Sequence, residues 1–153
     1  VHSFRGTIQP TTESKEACIA TLVVIEDQPD TLLIIRSTLH QQGHQLHFFP
    51  NGRIATAQAV QAVHPALILL DVQLPDQSGF DLIGSLRPIA PCIALTGFSD
   101  MSIVERAKAL GFFGFLGKPI RPAYFPQQIA RLLAGEPVWE QSWLSDIPTS
   151  IFS

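Results

Sequence analysis

Asp71 ends the apolar run Ala66-Leu67-Ile68-Leu69-Leu70 and precedes the stretch Val72-Gln73-Leu74-Pro75-Asp76-Gln77-Ser78-Gly79. A carboxylate at the tip of a buried strand can serve as a nucleophile, accepting a phosphoryl group to form a mixed anhydride. Three other polar signals close apolar runs in the same way: Glu26-Asp27 after Thr21 to Ile25, Thr96 after Cys92 to Leu95, and Lys118-Pro119 after Phe112 to Leu116. Together they suit an aspartyl phosphate that acts as a switch. Asp27, Asp71 and the backbone carbonyl of Gln73 offer oxygens to a hard divalent cation such as Mg²⁺, with Glu26 reaching it through water or orienting a ligand. Such an ion would neutralise crowded carboxylates and incoming phosphoryl oxygens. Thr96 offers a hydroxyl to a phosphoryl oxygen, and Lys118 offers an ammonium to the phosphoryl group or to Asp71 itself. Pro119 makes a rigid turn that aims Lys118, and the bond between them is a candidate for the cis form.

Each residue alone also has a plainer meaning. Asp71 can cap a loop, and Glu26 and Asp27 can be solvated acids at the start of a helix. Thr96 can be an ordinary β-branched strand residue, and Lys118 a solvated lysine at a strand end. Phe115, three residues before Lys118, is either a rotating aromatic that reports the position of Thr96 or ordinary packing. The coincidence of the four signals at strand ends favours the chemical reading. His2, His40, His44, His47 and His64 lack metal-ligand spacing and read as surface or structural residues.

These groups need a scaffold, and the periodicity supplies one. Thr21 to Ile25 is a short, β-branched apolar run, as expected of a parallel strand covered on both faces. Pro29-Asp30-Thr31 starts a helix with Leu32, Ile35 and Leu39 on one stripe, ended by Gly43. Gln45 to Phe49 is the second strand. A helix from about Arg53 to Val63 follows, registered by Ile54, Ala57 and Val60 and stopped before Pro65. Ala66 to Leu70 is the third strand and Phe80 to Leu86 a short helix. Cys92 to Leu95 is the fourth strand. Gly97-Phe98-Ser99-Asp100 then carries helix caps, and Val104, Ala107 and Leu110 face inward on the next helix. Phe112 to Leu116 is the fifth strand. The last helix spans about Tyr124 to Leu133. Five strands alternating with five helices predict an α/β fold, a doubly wound five-stranded parallel sheet with helices on both faces. In such sheets the site lies at the carboxyl ends of the strands.

The chain has 153 residues, 46% hydrophobic and 15% charged, enough for one domain with a real core. Residues 1–20 read as a tail, 21–134 as the domain, and 135–153 as an extension or the start of a linker. That extension holds Trp139, Trp143, Leu144, Ile147, Ile151 and Phe152. Its apolar content suits packing on the domain, a partner contact or a homodimer contact; if it covers the core, truncation after Gly135 lowers stability. The net charge of −3 gives no reason for direct nucleic-acid binding. Cys18 and Cys92 are the only cysteines, without zinc-ligand spacing, and no disulfide is expected. No run reaches the ~20 apolar residues of a membrane span. The first residues carry no secretory pattern, so the expected compartment is the cytoplasm.

In these pieces the chain resembles the response-regulator receiver domains of two-component signalling. The resemblance covers about residues 20 to 134. It is carried by Leu22-Val23-Val24-Ile25-Glu26-Asp27, by Leu67 to Pro75 around Asp71, and by Gly79, Ala94-Leu95-Thr96-Gly97 and Gly117-Lys118-Pro119. It implies a flavodoxin-like (βα)5 fold. It makes Asp71 the acceptor of phosphate from a phosphohistidine on a partner histidine kinase or phosphotransfer protein. Glu26 and Asp27 become the acidic pair, with Asp71 and the Gln73 carbonyl completing an Mg²⁺ site. Thr96 and Phe115 become switch residues, and Lys118 the site lysine. The switch would alter the surface around the fourth helix, fifth strand and fifth helix, read by an output protein or domain. Slow loss of the phosphate is expected, without turnover of an external substrate. Three departures stand out: a shortened segment between Asp71 and Thr96, an apolar and glycine-rich run from Gly111 to Gly117, and Phe98 at the site rim, where its ring would slow attack by water. The competing readings are a receiver-like interaction module that works without phosphorylation, and a small phosphatase. Asp71-Val72-Gln73 lacks the second acid that a phosphatase of this kind needs. The 20 or so residues after the last helix are too few for a helix-turn-helix domain.

Overall fold

Strand β1 (Thr21–Ile25) lies inside the sheet, with Leu22, Val23, Val24 and Ile25 all inaccessible to solvent. Such burial on both faces is possible only where helices cover both sides of the sheet. The computed structural model describes residues 19–97 and 101–140. After β1 the order is α1 (Pro29–Gln41), β2 (Gln45–Phe49), α2 (Ala57–Val63), β3 (Leu67–Asp71), α3 (Gly79–Leu86) and β4 (Cys92–Thr96). Then come α4 (Met101–Leu110), β5 (Gly114–Gly117), α5 (Phe125–Leu133) and β6 (Trp139–Glu140). The strands pair in parallel in the order β2-β1-β3-β4-β5-β6. Strand order therefore reverses between β1 and β3, where a doubly wound sheet opens its crevice.

The period-two alternation of the strands splits the core into two layers. Val23, Ile25, Ile68, Leu70, Ala94 and Phe115 face α2, α3 and α4. Leu22, Val24, Leu67, Leu69, Ile93 and Leu95 face α1 and α5, against Ile35, Leu39, Phe125 and Ile129. Within α1, Ile35 and Leu39 are buried as the stripe predicts, but Thr31 takes the third buried place and Leu32 is only half-buried.

Several boundaries shift by one residue, and three features differ more from the sequence reading. Helix α2 starts at Ala57, and Ile54 lies before it, 42% exposed. The Thr56 hydroxyl caps the helix by accepting the Ala59 N–H at 3.1 Å, and the Asn51 side chain accepts the Ile54 N–H at 3.0 Å. Local capping therefore overrides the apolar spacing of Ile54. Strand β5 begins at Gly114 rather than Phe112; Phe112 is buried in the α3–α4 layer, edge-on to Phe80 at 6.0 Å between ring centroids. The sheet also has six strands instead of five, because Trp139 and Glu140 pair with Phe115 and Leu116. No helix among the described residues is long and apolar enough to cross a membrane.

Candidate functional site

The strand ends at the reversal point carry the acids. Asp71 is the last residue of β3 and 1% exposed, and Glu26, directly after β1, is fully buried. Lys118 follows β5, and its backbone N–H donates to the Thr96 carbonyl at 2.8 Å, so that two predicted site residues are tied through the main chain. The Lys118–Pro119 bond is cis. The Lys118 ammonium reaches back across the crevice to Asp71 Oδ2 at 3.1 Å and Glu26 Oε1 at 2.7 Å. The second contact is a charge pair rather than an aligned hydrogen bond, since Glu26 Oε1 has no hydrogen-bond partner.

The loop after β3 holds Asp71 from the other side. The Gln73 N–H donates to Asp71 Oδ1 at 2.8 Å. The chain then doubles back: Gln73 bridges Ser78, and the Gly79 N–H donates to the Val72 carbonyl at 3.0 Å. A Cβ on Gly79 would sit 2.5 Å from the Asp71 carbonyl oxygen, so this return path requires glycine. Asp76 fixes the loop to its neighbour by accepting the N–H groups of Gly52 and Arg53 at 2.9 and 2.7 Å.

Glu26 has two jobs. Its Oε2 accepts the N–H groups of Asp27 and Gln28 at 3.1 and 3.0 Å, shaping the turn into α1, while Oε1 meets Lys118. It is thus a cap, as the plainer reading allows, but a buried one. Burial pushes its carboxyl up to about 7, against the opposing pull of Lys118. The side chain of Thr96, buried at the end of β4, lies by alternation on the same sheet face as Ala94, which pairs with Phe115. Phe115 is fully buried in the α4-side layer. The structure thus gathers Glu26, Asp27, Asp71 and Lys118 around one point, with Thr96 and Phe115 one and two strands away. Phe98 lies outside the described residues. Gln28 was missed by sequence reasoning: its side-chain carbonyl accepts from Lys118 Nζ at 3.1 Å. The two residues are 90 positions apart, and no local pattern signals such a contact.

The site fits a divalent cation. One carboxylate oxygen from each of Glu26, Asp27 and Asp71 lies within 4.8 Å of the others. Asp27 Oδ1 is buried without any hydrogen-bond partner. Three acids face one ammonium, and an unpartnered buried carboxylate oxygen is costly unless a cation meets it. The donors are all oxygens, which suits a hard ion.

The family model described as "response regulator receiver domain" matches residues 22–130. An uncharacterized 14.6 kDa protein of Leptolyngbya boryana is 32% identical over 106 residues, covering 66% of this chain and 80% of that protein. The transcriptional regulatory protein KdpE of Mycobacterium tuberculosis is 35% identical over 116 residues, covering 74% of this chain. The match takes in 49% of KdpE, so the chain spans about half the length of that regulator. Among solved structures, the signal receiver domain of a signal transduction histidine kinase from Syntrophus aciditrophicus aligns with a TM-score of 0.64 at 30% identity. That alignment covers 76% of this chain and 91% of the other.

Proposed function

The chain belongs to the response regulator receiver domain family, and on that premise we propose that Asp71 accepts a phosphoryl group from a phosphohistidine on a partner histidine kinase or phosphotransfer protein. The observation that carries this reading is the meeting of Asp71, Lys118 and the unpartnered Asp27 oxygen at the carboxyl ends of β1, β3 and β5.

In the transfer an Asp71 oxygen attacks phosphorus. The P–O bond forms as the P–N bond to the donor histidine breaks, and the imidazole departs with a proton. Lys118 already pairs with Asp71 Oδ2 and can pass from that oxygen to the phosphoryl group without crossing the site. The Gln73 N–H keeps Asp71 oriented through Oδ1. Thr96 donates its hydroxyl to a phosphoryl oxygen. Mg²⁺ held by Asp27, Asp71 and the Gln73 carbonyl, with Glu26 behind them, would supply the positive charge that lets crowded anions approach. Water later cleaves the acyl phosphate slowly, returning inorganic phosphate and Asp71, so the domain is a switch and not a turnover enzyme.

The partners on this reading are a histidine-containing phosphodonor and an output protein or domain that senses the α4–β5–α5 face; the expected compartment is the cytoplasm. A receiver-like module that works without phosphorylation would not need the carboxylate cluster, so that reading is not favoured. The test is intact mass after incubation with a small phosphodonor. One phosphoryl group should be gained with Mg²⁺, little without it, and none in Asp71→Asn. A folded protein that stays at its original mass with Mg²⁺ and its own kinase present would overturn the proposal.

A further inference from the structure

Residues 138–140 lie beyond the stretch that the family model matches, yet they are tied to the sheet. The Phe115 N–H donates to the Val138 carbonyl at 2.7 Å, and Trp139 and Glu140 stand opposite Phe115 and Leu116. Gly114 makes this approach possible: a Cβ there would lie 2.7 Å from the Val138 oxygen. The glycine that made this region look unusual is thus the seat of the added strand.

The side chains alternate into three built positions. Val138, 1% exposed, enters the layer of α1 and α5. Trp139 turns to the opposite layer beside Phe115, with Lys108 of α4 5.1 Å from its ring centroid. Glu140 returns toward α5, where its two oxygens accept from Gln128 at 2.8 Å and Arg131 at 3.1 Å. Backbone, apolar slot, cation–π contact and carboxylate clamp therefore all read the same short segment.

We propose that residues 138–140 are a built-in ligand of the α4–β5–α5 face, docked as a parallel strand, and that phosphorylation of Asp71 loosens it. This rests on the phosphoacceptor reading above. The link runs through Thr96 and Phe115. A Thr96 hydroxyl drawn toward a phosphoryl oxygen vacates room on the sheet face it shares with Ala94 and Phe115. Phe115, already buried on that face, is the side chain placed to shift along it toward Thr96, and that shift withdraws it from Trp139. The strand therefore docks best on the unphosphorylated arrangement, and an output partner for this face competes with the chain's own residues. Coupling of this kind is reciprocal: whatever weakens the strand favours the phosphorylated state.

The experiment uses the full chain with Trp143→Phe, leaving Trp139 as the single tryptophan. The probe is Mg²⁺ with beryllium fluoride, a reversible mimic of a phosphoryl group on a carboxylate. Binding should red-shift Trp139 emission and speed hydrogen exchange at the Phe115 amide. Glu140→Lys, which removes the clamp from a part-exposed position, should tighten beryllofluoride binding about fivefold or more, the low end of ordinary allosteric coupling. Val138→Asp should do so more strongly. Beryllofluoride binding of equal affinity in all three proteins, with Trp139 emission and Phe115 exchange unmoved, overturns the inference and leaves the phosphoacceptor reading intact. No binding by the parent chain overturns that reading and this inference with it.

Discussion

The two ends of β3 stand in contrast. At the amino end, Leu67 is fully buried and the backbone is satisfied: the Ala66 N–H donates to the Thr21 carbonyl at 2.8 Å and the Ile68 N–H to the Pro91 carbonyl at 2.9 Å. Four residues on, Asp71 is equally buried, but beside two other carboxylates, each with a buried oxygen that lacks a hydrogen-bond partner. The amino end obeys every rule for a stable core, whereas the carboxyl end breaks the rule against unpaired buried charge. A hollow of about 720 Å³ opens at the amino end near Arg87, Pro88, Ile89 and Phe113, and none of its lining residues is acidic. The difference teaches that function here is read from electrostatic conflict among buried carboxylates.

Asp71→Asn probes that conflict most strongly. It should abolish phosphoryl gain in intact-mass measurements while leaving stability unchanged or raising it by about 1 kcal/mol, as relief of a functional site often does. The Asn oxygen can still accept the Gln73 N–H, and Lys118 retains Glu26. A clear loss of stability in urea unfolding would mean that the carboxylate supports the fold and the contrast fails. Leu67→Ala is the converse change at the other end of the same strand. It should cost about 3 kcal/mol in unfolding free energy through lost burial and a residual cavity. Phosphorylation should be almost unaffected under conditions where the variant stays folded. A site that dies with Leu67→Ala would show that the two ends are not separable.

The same contrast governs what the sequence revealed. Continuous apolar runs announced β1, β3 and β4, because strands buried on both faces have little other composition open to them. Asp71, Glu26, Asp27 and Lys118 stood out because a charge directly after such a run has no place in a core. What escaped depended on distant pairing or competing local bonds. The start of α2 is set by the Thr56 cap rather than by Ile54. Strand β6 is only two residues long, and its partner β5 lies more than 20 positions earlier. Its cue was Gly114, whose meaning needs Val138 in place. The Gln28 contact shows the same limit inside the site. The ammonium of Lys118 has three protons and three neighbours, Asp71, Glu26 and Gln28, of which the last is exposed. Gln28→Ala should therefore slow phosphorylation only about twofold, the value of one exposed hydrogen bond of roughly 0.5 kcal/mol. A loss of a hundredfold or more in single-turnover rates would place Gln28 among the residues that carry the chemistry.

The smallest effect belongs to the amino end, whose buried histidine gives that end a pH dependence of its own. His44 is 7% exposed, and its Nδ1 accepts the Ala20 N–H at 3.0 Å, which joins the residue before β1 to the residue before β2. Burial holds the imidazole below its ordinary value of 6.5. The unfolded chain then binds a proton at this group before the folded chain does, so stability rises with pH across the interval between the two values. The contribution is complete above about pH 6.5 and is lost as pH falls through the folded value. Glu26 pulls the other way: its raised value makes the folded chain hold a proton up to about 7. The His44 contribution is therefore read as a difference between the parent chain and His44→Asn, whose side-chain oxygen can accept the same N–H. Urea unfolding from pH 8 to pH 5 should give a difference that is constant at high pH and shrinks below about 6.5. A difference that stays flat to pH 5 would mean that His44 gains its proton inside the fold as readily as outside it, and that the amino end contributes no pH dependence through this histidine.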